Sequence, residues 1–100
     1  MLIDFNFRQF QPSDELIAYV SERFHRIMKM DGKSVRVSVV FSSQKKTKRV
    51  DVKLRGAQLD IHARAESDDF FASIDMVSAK LFRQLERKRE RVKSIRRKAG

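Results

Sequence analysis

Ile3, Phe5 and Phe7 alternate with Asp4, Asn6 and Arg8, the two-residue period of a strand with one buried face. Pro12 and Ser13 interrupt it, and the Ser13 hydroxyl can accept from the free amides of a following helix, whose positive end also suits Asp14 and Glu15. From there Leu16, Val20, Phe24 and Ile27 recur every three or four residues through about residue 29, an apolar stripe that Glu22, Arg26 and Lys29 avoid. Asp31-Gly32 is the expected end of this helix, because Gly32 can take the left-handed conformation that closes off the last carbonyls.

Alternation then returns. Val35, Val37, Val39 and Phe41 interleave with Arg36, Ser38, Val40 and Ser42, and Val50, Val52 and Leu54 with Arg49, Asp51, Lys53 and Arg55. The short connection between them predicts an antiparallel hairpin with Lys45, Lys46 and Lys48 at its tip. Gly56 is the expected next turn, followed by a strand in which Leu59, Ile61, Ala63 and Ala65 alternate with Asp60, His62, Arg64 and Glu66. Ser67 or Asp68 is the expected cap of a long second helix, with a buried stripe of Phe70 or Phe71, Ile74, Val77, Leu81 and Leu85. The order β-α-β-β-β-α predicts an α+β fold: a four-stranded, mainly antiparallel sheet with two helices packed on one face. A helix over about residues 69–96 would be roughly 42 Å long against roughly 23 Å for a seven-residue strand, so its last third must overhang the sheet.

The chain has 100 residues, enough for one modest core and too few for a core plus a separate catalytic module. Residues 1–91 are expected to form the domain, with 92–100 a basic, flexible tail. The chain has no cysteine and so neither disulfides nor thiolate chemistry, and Met1-Leu2-Ile3 leads into the first strand without the pattern of a secretory signal. A cytoplasmic location is expected, and no apolar run approaches the ~20 residues of a membrane span.

Charge narrows the partners. The net charge is +10, which favours nucleic acid through counterion release, ahead of an anionic membrane. Residues 80–98 carry ten Lys or Arg against Glu86 and Glu90, for a net +8, and residues 43–55 carry +5, whereas residues 56–79 carry −4. Lys80, Arg83, Arg87 and Arg91 recur at helical spacing, as a rigid display of cations to phosphates requires. A charged helix face is often merely solvated; here the scarcity of acids favours RNA. Asp68 and Asp69 sit where a helix start favours negative charge, and are read as capping rather than metal-binding; Asp75 can pair with a nearby base. His25 and His62 are isolated, without ligand or acid–base spacing, and are read as surface residues. The eight Phe residues fall mostly on core positions rather than forming stacking platforms, with Phe10 and Phe82 the least accounted for. No nucleophile–base pair, phosphate loop or metal cluster is legible, so neither enzymatic activity nor a cofactor is expected.

The most specific run is His62-Ala63-Arg64-Ala65-Glu66-Ser67-Asp68-Asp69-Phe70-Phe71, then Ala72-Ser73-Ile74-Asp75, then Lys80-Leu81-Phe82-Arg83-Gln84-Leu85, with a shorter match at Leu16-Ile17-Ala18-Tyr19-Val20. In these the chain resembles the ribosome hibernation promoting factor and ribosome-associated inhibitor family (the sigma-54 modulation protein family), and among them a short form. The resemblance covers nearly the whole length. It implies a fold similar to the double-stranded-RNA-binding domain, and a hibernation factor that binds the small ribosomal subunit and its rRNA in the channel for messenger and transfer RNA. There it would block translation sterically in stationary phase or starvation. Carried over by position, the RNA-binding residues would be Arg23, Arg26 and Lys29 on the first helix, and Lys80, Arg83, Arg87, Lys88 and Arg91 on the second, forming one surface if the helices lie side by side. Three positions depart from the family's usual pattern: Phe7 in place of glycine, Ser73 of alanine and Phe71 of tyrosine. A monomer when free, without DNA or membrane as partner, is expected. The competing readings are a binder of free double-stranded RNA and, last, a protein that dimerises or lies on lipid through the overhanging helix, for which Val92 and Ile95 offer little apolar surface.

Overall fold

The two-residue alternation sends Val37, Val39 and Phe41, Val50, Val52 and Leu54, and Ile61, Ala63 and Ala65 to one face of a single sheet, where all are buried. The computed structural model describes residues 2–31, 35–56 and 59–99, with side-chain surroundings given within 2–26, 35–56 and 59–88. Its elements are β1 (Leu2–Arg8), α1 (Asp14–Asp31), β2 (Arg36–Gln44), β3 (Thr47–Gly56), β4 (Leu59–Ser67) and α2 (Phe70–Ala99). The strands lie in the order β1-β2-β3-β4. β1 pairs parallel to β2, because α1 is the crossover between them, and the other two pairings are antiparallel. The fold is therefore α+β with a mixed sheet.

Leu16, Val20 and Phe24 of α1 and Ile74, Val77, Leu81 and Leu85 of α2 join the strand residues in one buried cluster, so both helices cover the same face. Each such side chain contributes roughly 1.5–3 kcal/mol by leaving water. At the β1 end, Phe7 stacks on Phe41 with ring centroids 4.7 Å apart, and Phe10 meets both Phe7 at 5.3 Å and Phe70 at 5.0 Å. Phe10, unassigned by periodicity, thus closes one end of the core, and the ring of Phe7 has a defined stacking role there. Phe71 lies outside the core stripe: it is 37% exposed and meets Tyr19 edge-on at 5.0 Å.

The helix starts separate into one expected cap and one corrected. Ser13 Oγ accepts from the Leu16 amide at 3.3 Å, as expected. For α2 the cap is Asp69, not Ser67 or Asp68: its carboxylate accepts from the Phe71 amide at 3.1 Å and its carbonyl from the Ser73 amide at 3.0 Å. Ser67 is still the last residue of β4, so its backbone is extended too far ahead of the helix to cap it; its hydroxyl accepts instead from the Asp69 amide at 3.2 Å. Buried Ser73 donates to the Lys48 carbonyl at 2.7 Å, tying the first turn of α2 to β3. Its hydroxyl is thus used where an alanine could only pack.

The β2–β3 loop is only Lys45-Lys46, flanked by the Gln44–Thr47 pair. Lys45 has a φ of 53°, a left-handed value at a loop position where glycine is favoured. Gly56 is not the turn itself but the last rung of β3, paired with Leu59. Gly32, the expected terminator of α1, and the side chain of Ile27 lie outside the described residues.

Thirty residues of α2 amount to about 45 Å. Its last buried residue among those described is Leu85, and the molecule measures 53 × 22 × 17 Å, so the helix overhangs the sheet as its length predicts. Residues 92–99, expected as a tail beyond the domain, continue its helical backbone.

Leu81→Ala is expected to lower the unfolding free energy by about 2–5 kcal/mol through lost burial and a residual cavity. The same truncation at neighbouring Phe82, 39% exposed, is expected to cost less than about 1 kcal/mol. Urea denaturation checks both, and equal losses would contradict this placement of the α2 stripe.

Candidate nucleic-acid interface

Two sets of contacts fix how α2 is turned on the sheet. On one flank Tyr19 and Arg23 of α1 reach it: the Tyr19 hydroxyl donates to Asp75 Oδ1 at 2.7 Å and Arg23 Nε lies 3.2 Å from the same oxygen. On the opposite flank, α2 reaches β4: Lys80 Nζ donates to the Arg64 carbonyl at 2.6 Å and Gln84 Nε2 to the His62 carbonyl at 3.2 Å. β4 is an edge strand, whose outward carbonyls would otherwise be open to another chain.

The expected RNA-contacting residues therefore divide into two rows. Arg23 and Arg26 are exposed on α1; Arg23 borders α2, and Arg26 follows one helical turn later. Lys80, Arg83 and Arg87 are exposed; at 100° per residue Lys80 and Arg87 project from the α2 flank that overlooks β4, with exposed Met76 beside them, and Arg83 stands near the outer crest, opposite Ile74. The helices do lie side by side, but the outer crest of α2, with Asp75 and Glu86 on its α1 side, runs between the rows. Arg23 and Arg26 thus stand on one side of the crest and Lys80 and Arg87 on the other. Lys88 is half-buried, and the side chains of Lys29 and Arg91 lie outside the described residues.

The rows differ electrostatically. Arg23 donates through Nη2 to the Tyr19 hydroxyl at 2.6 Å, and its ring contact with Tyr19 is a cation–π pair at 4.7 Å. Its pKa is raised by the Tyr19 hydrogen bond and then by the Asp75 charge, so it stays protonated but is partly neutralised by its neighbour. Among the described residues, Arg83 and Arg87 are in no ion pair, and Lys80 has only its bond to a neutral carbonyl. An ammonium has three donors, so two remain for a phosphate. The β4 side of α2 is thus the less compensated row.

The open face of the sheet carries cations that the helical pattern did not single out, and among the described residues Arg49, Arg55 and Arg64 are matched by acids. Asp51 sits between Arg64 Nε at 2.6 Å, Arg49 Nε at 3.2 Å and His62 Nε2 at 3.7 Å. The Arg64 guanidinium is held above its usual pKa by its hydrogen bond to Asp51 and by that charge. His25 and His62 are exposed, and among the described residues no group of three His, Cys, Asp or Glu could hold a metal ion. No helix there is long and apolar enough to cross a membrane.

The family model described as sigma 54 modulation protein / S30EA ribosomal protein matches residues 3–93. The chain belongs to that family. It is 29% identical to the ribosome hibernation promoting factor of Azotobacter vinelandii, over 100% of this chain and 92% of that one. Identity with the protein of the same name from Klebsiella oxytoca is 31%, over 75% of this chain and 79% of that one. Among solved structures, a ribosomal subunit interface protein from Coxiella burnetii superposes with a TM-score of 0.82 at 28% identity, covering 90% of this chain and 99% of that one. The N-terminal domain of Thermus thermophilus Protein Y gives 0.81 at 23% identity, covering 87% and 98%, a likeness of fold alone.

Tyr19→Phe is expected to leave Arg23 paired with Asp75 but less held, with little change in stability because the pair is exposed. Solvent exchange of the Arg23 side-chain Nε–H, followed by NMR, should quicken; an unchanged rate would mean that the hydroxyl does not position the guanidinium.

Proposed function

We propose that this protein is a ribosome hibernation factor that binds the small ribosomal subunit through rRNA phosphates, using the ridge of α2 and the basic rows on its two sides. The observation that carries this reading is the row Lys80, Arg83 and Arg87, in no ion pair among the described residues and held rigidly by the buried stripe of the same helix, in a chain of this family. Its relatives are named as hibernation promoting factors and a ribosomal subunit interface protein.

Cations on a preformed helix meet phosphates without an ordering cost to the backbone, and they recognise shape rather than base sequence. The helical backbone of α2 continues beyond the sheet, which suits a binding site recessed between walls of RNA, as the channel for messenger and transfer RNA is. Occupying the channel in stationary phase or starvation excludes the substrates of translation, and no bond need be made or broken. Such a role places the protein in the cytoplasm, as a monomer when free.

Replacing Lys80, Arg83 and Arg87 together with Glu is expected to weaken binding to purified small subunits by roughly tenfold or more, and to flatten the dependence of log K on log salt by about 2–3, at ~0.7–0.9 per phosphate contact. Sedimentation over a salt series measures both, and circular dichroism checks that the fold is kept. Wild-type affinity in the triple variant would overturn the assignment of this row. A wild-type preference for free duplex RNA over the subunit would favour the competing reading.

A further inference from the structure

The β2–β3 hairpin carries positive charge that the helical ridge does not use. It lies at the other end of the sheet: Ser73, near the start of α2, is bonded to Lys48, and Arg87 is 14 residues further along the same helix, or about 21 Å. Of its lysines, Lys48 is committed to the hairpin, donating to Ser43 Oγ at 2.6 Å and to the Lys45 carbonyl at 3.4 Å and lying over the Phe70 ring at 5.8 Å. Lys45 and Lys46 are exposed.

Beside this hairpin is a shallow concavity of about 770 Å³, lined among others by Gln9, Ser43, Lys45, Thr47, Arg49 and Glu66. Arg49 and Glu66 alternate with the core positions Val50 and Ala65, so the concavity opens on the sheet face turned away from the helices. Its volume is that of a ligand site, but ordinary small-molecule pockets are mainly apolar, and every side chain lining this one is polar. Two of them, Gln9 with φ of 70° and Lys45 with φ of 53°, are the non-glycine residues of positive φ among those described. Such a backbone is unfavourable for a residue that carries a Cβ, and such outliers cluster at binding sites. At the first loop position of a tight hairpin, glycine would avoid that cost, whereas lysine adds an ammonium to the rim.

The donors available define the ligand. Arg49 Nε lies 3.2 Å from Asp51 and its Nη1 3.9 Å from Glu66, yet among the described residues its guanidinium makes no hydrogen bond that meets both distance and angle. Its Nε is buried against Asp51, and with the side chain 38% exposed its Nη groups are what it can offer a phosphate. The Thr47 hydroxyl and the Gln9 carboxamide can donate or accept, whereas an ionised Glu66 carboxylate only accepts. A bare multivalent anion would be repelled by Glu66. A phosphate attached to a group that donates, such as a ribose 2′-hydroxyl or an exocyclic amine, satisfies both charges. We propose that this concavity is a second RNA contact, which takes one phosphate and its nucleoside from a single-stranded segment of RNA, with Arg49 and Lys45 on the phosphate and Glu66 accepting from the sugar or base.

This contact does not depend on the helical ridge, and the two can be tested apart. The experiment is amide NMR of the full chain titrated with a single-stranded tetraribonucleotide, with its deoxy counterpart, and with inorganic phosphate. Saturable shifts are expected at Gln9, Ser43, Lys45, Thr47 and Arg49 with the ribonucleotide, and weaker ones with the other two probes. Arg49→Gln is expected to weaken them about tenfold, as loss of a charge-assisted contact does. The Lys80, Arg83 and Arg87 triple Glu variant should retain them. Should Arg49→Gln disturb the sheet, Lys45→Gly removes the rim cation at a backbone angle that glycine tolerates, and is expected to weaken the same shifts. Shifts confined to α1 and α2, no saturation, or equal response to phosphate or the deoxy strand would each overturn the proposal, whatever becomes of binding to the small subunit.

Discussion

The packing of one apolar stripe, Ile74, Val77, Leu81 and Leu85, against the inner face of β3 and β4 fixes the rotation of α2 about its own axis, and that rotation sets the charge layout of the molecule. With the stripe buried, helical periodicity leaves no choice about where Asp75 and Lys80 project. The first meets α1 and the second meets β4. A helix turned by one residue would carry Lys80, Arg83 and Arg87 about 100° away from the flank they occupy. The core thus determines the electrostatic surface without contributing a charge to it.

Lys80 and Gln84 cover the sheet's edge. Strands that end a sheet expose backbone groups that invite pairing with another chain, and here two side chains one helical turn apart occupy carbonyls of β4. The Lys80 ammonium then stands beside Arg83 and Arg87 with donors to spare. On the other flank, Tyr19 and Asp75 hold Arg23 in a fixed position while compensating its charge, so the two basic rows are unequal. Among the described residues, Arg49, Arg55 and Arg64 of the open sheet face are likewise matched, by Asp51, Asp60 and Glu66.

Much of the fold was legible because it rests on periodicity. Alternation in β2, β3 and β4, the stripes of both helices and the Ser13 cap are local patterns with one physical solution. What was less legible depended on contacts between elements. The choice of Asp69 over Ser67 or Asp68 as the α2 cap turns on how far β4 extends, and the place of Phe10 in the core on a cluster with Phe7 and Phe70 from distant parts of the chain. The site was legible as a set of residue types and less so as a surface. Spacing placed Lys80, Arg83 and Arg87 on one face of a helix, but did not show that Lys80 and Arg87 lie on the flank away from α1, with the crest between them and Arg23. A useful signal was present in the sequence: Asp75 lies on the same helix five residues before Lys80, and five residues correspond to 500°, or a displacement of about 140° around the axis. If Asp75 pairs with α1, Lys80 must face elsewhere. The hairpin concavity had no such signal, since it joins the end of β1 to the β2–β3 loop and to β4.

The central claim is that the β4-side flank of α2, oriented by its buried stripe, is the surface that meets rRNA. Cryo-electron microscopy of the protein bound to the small ribosomal subunit tests it most directly. The account predicts Lys80, Arg83 and Arg87 within contact distance of rRNA phosphates, with Asp75 still facing Arg23. A bound state in which that flank of α2 faces solvent, while another surface of the protein meets the RNA, would contradict it.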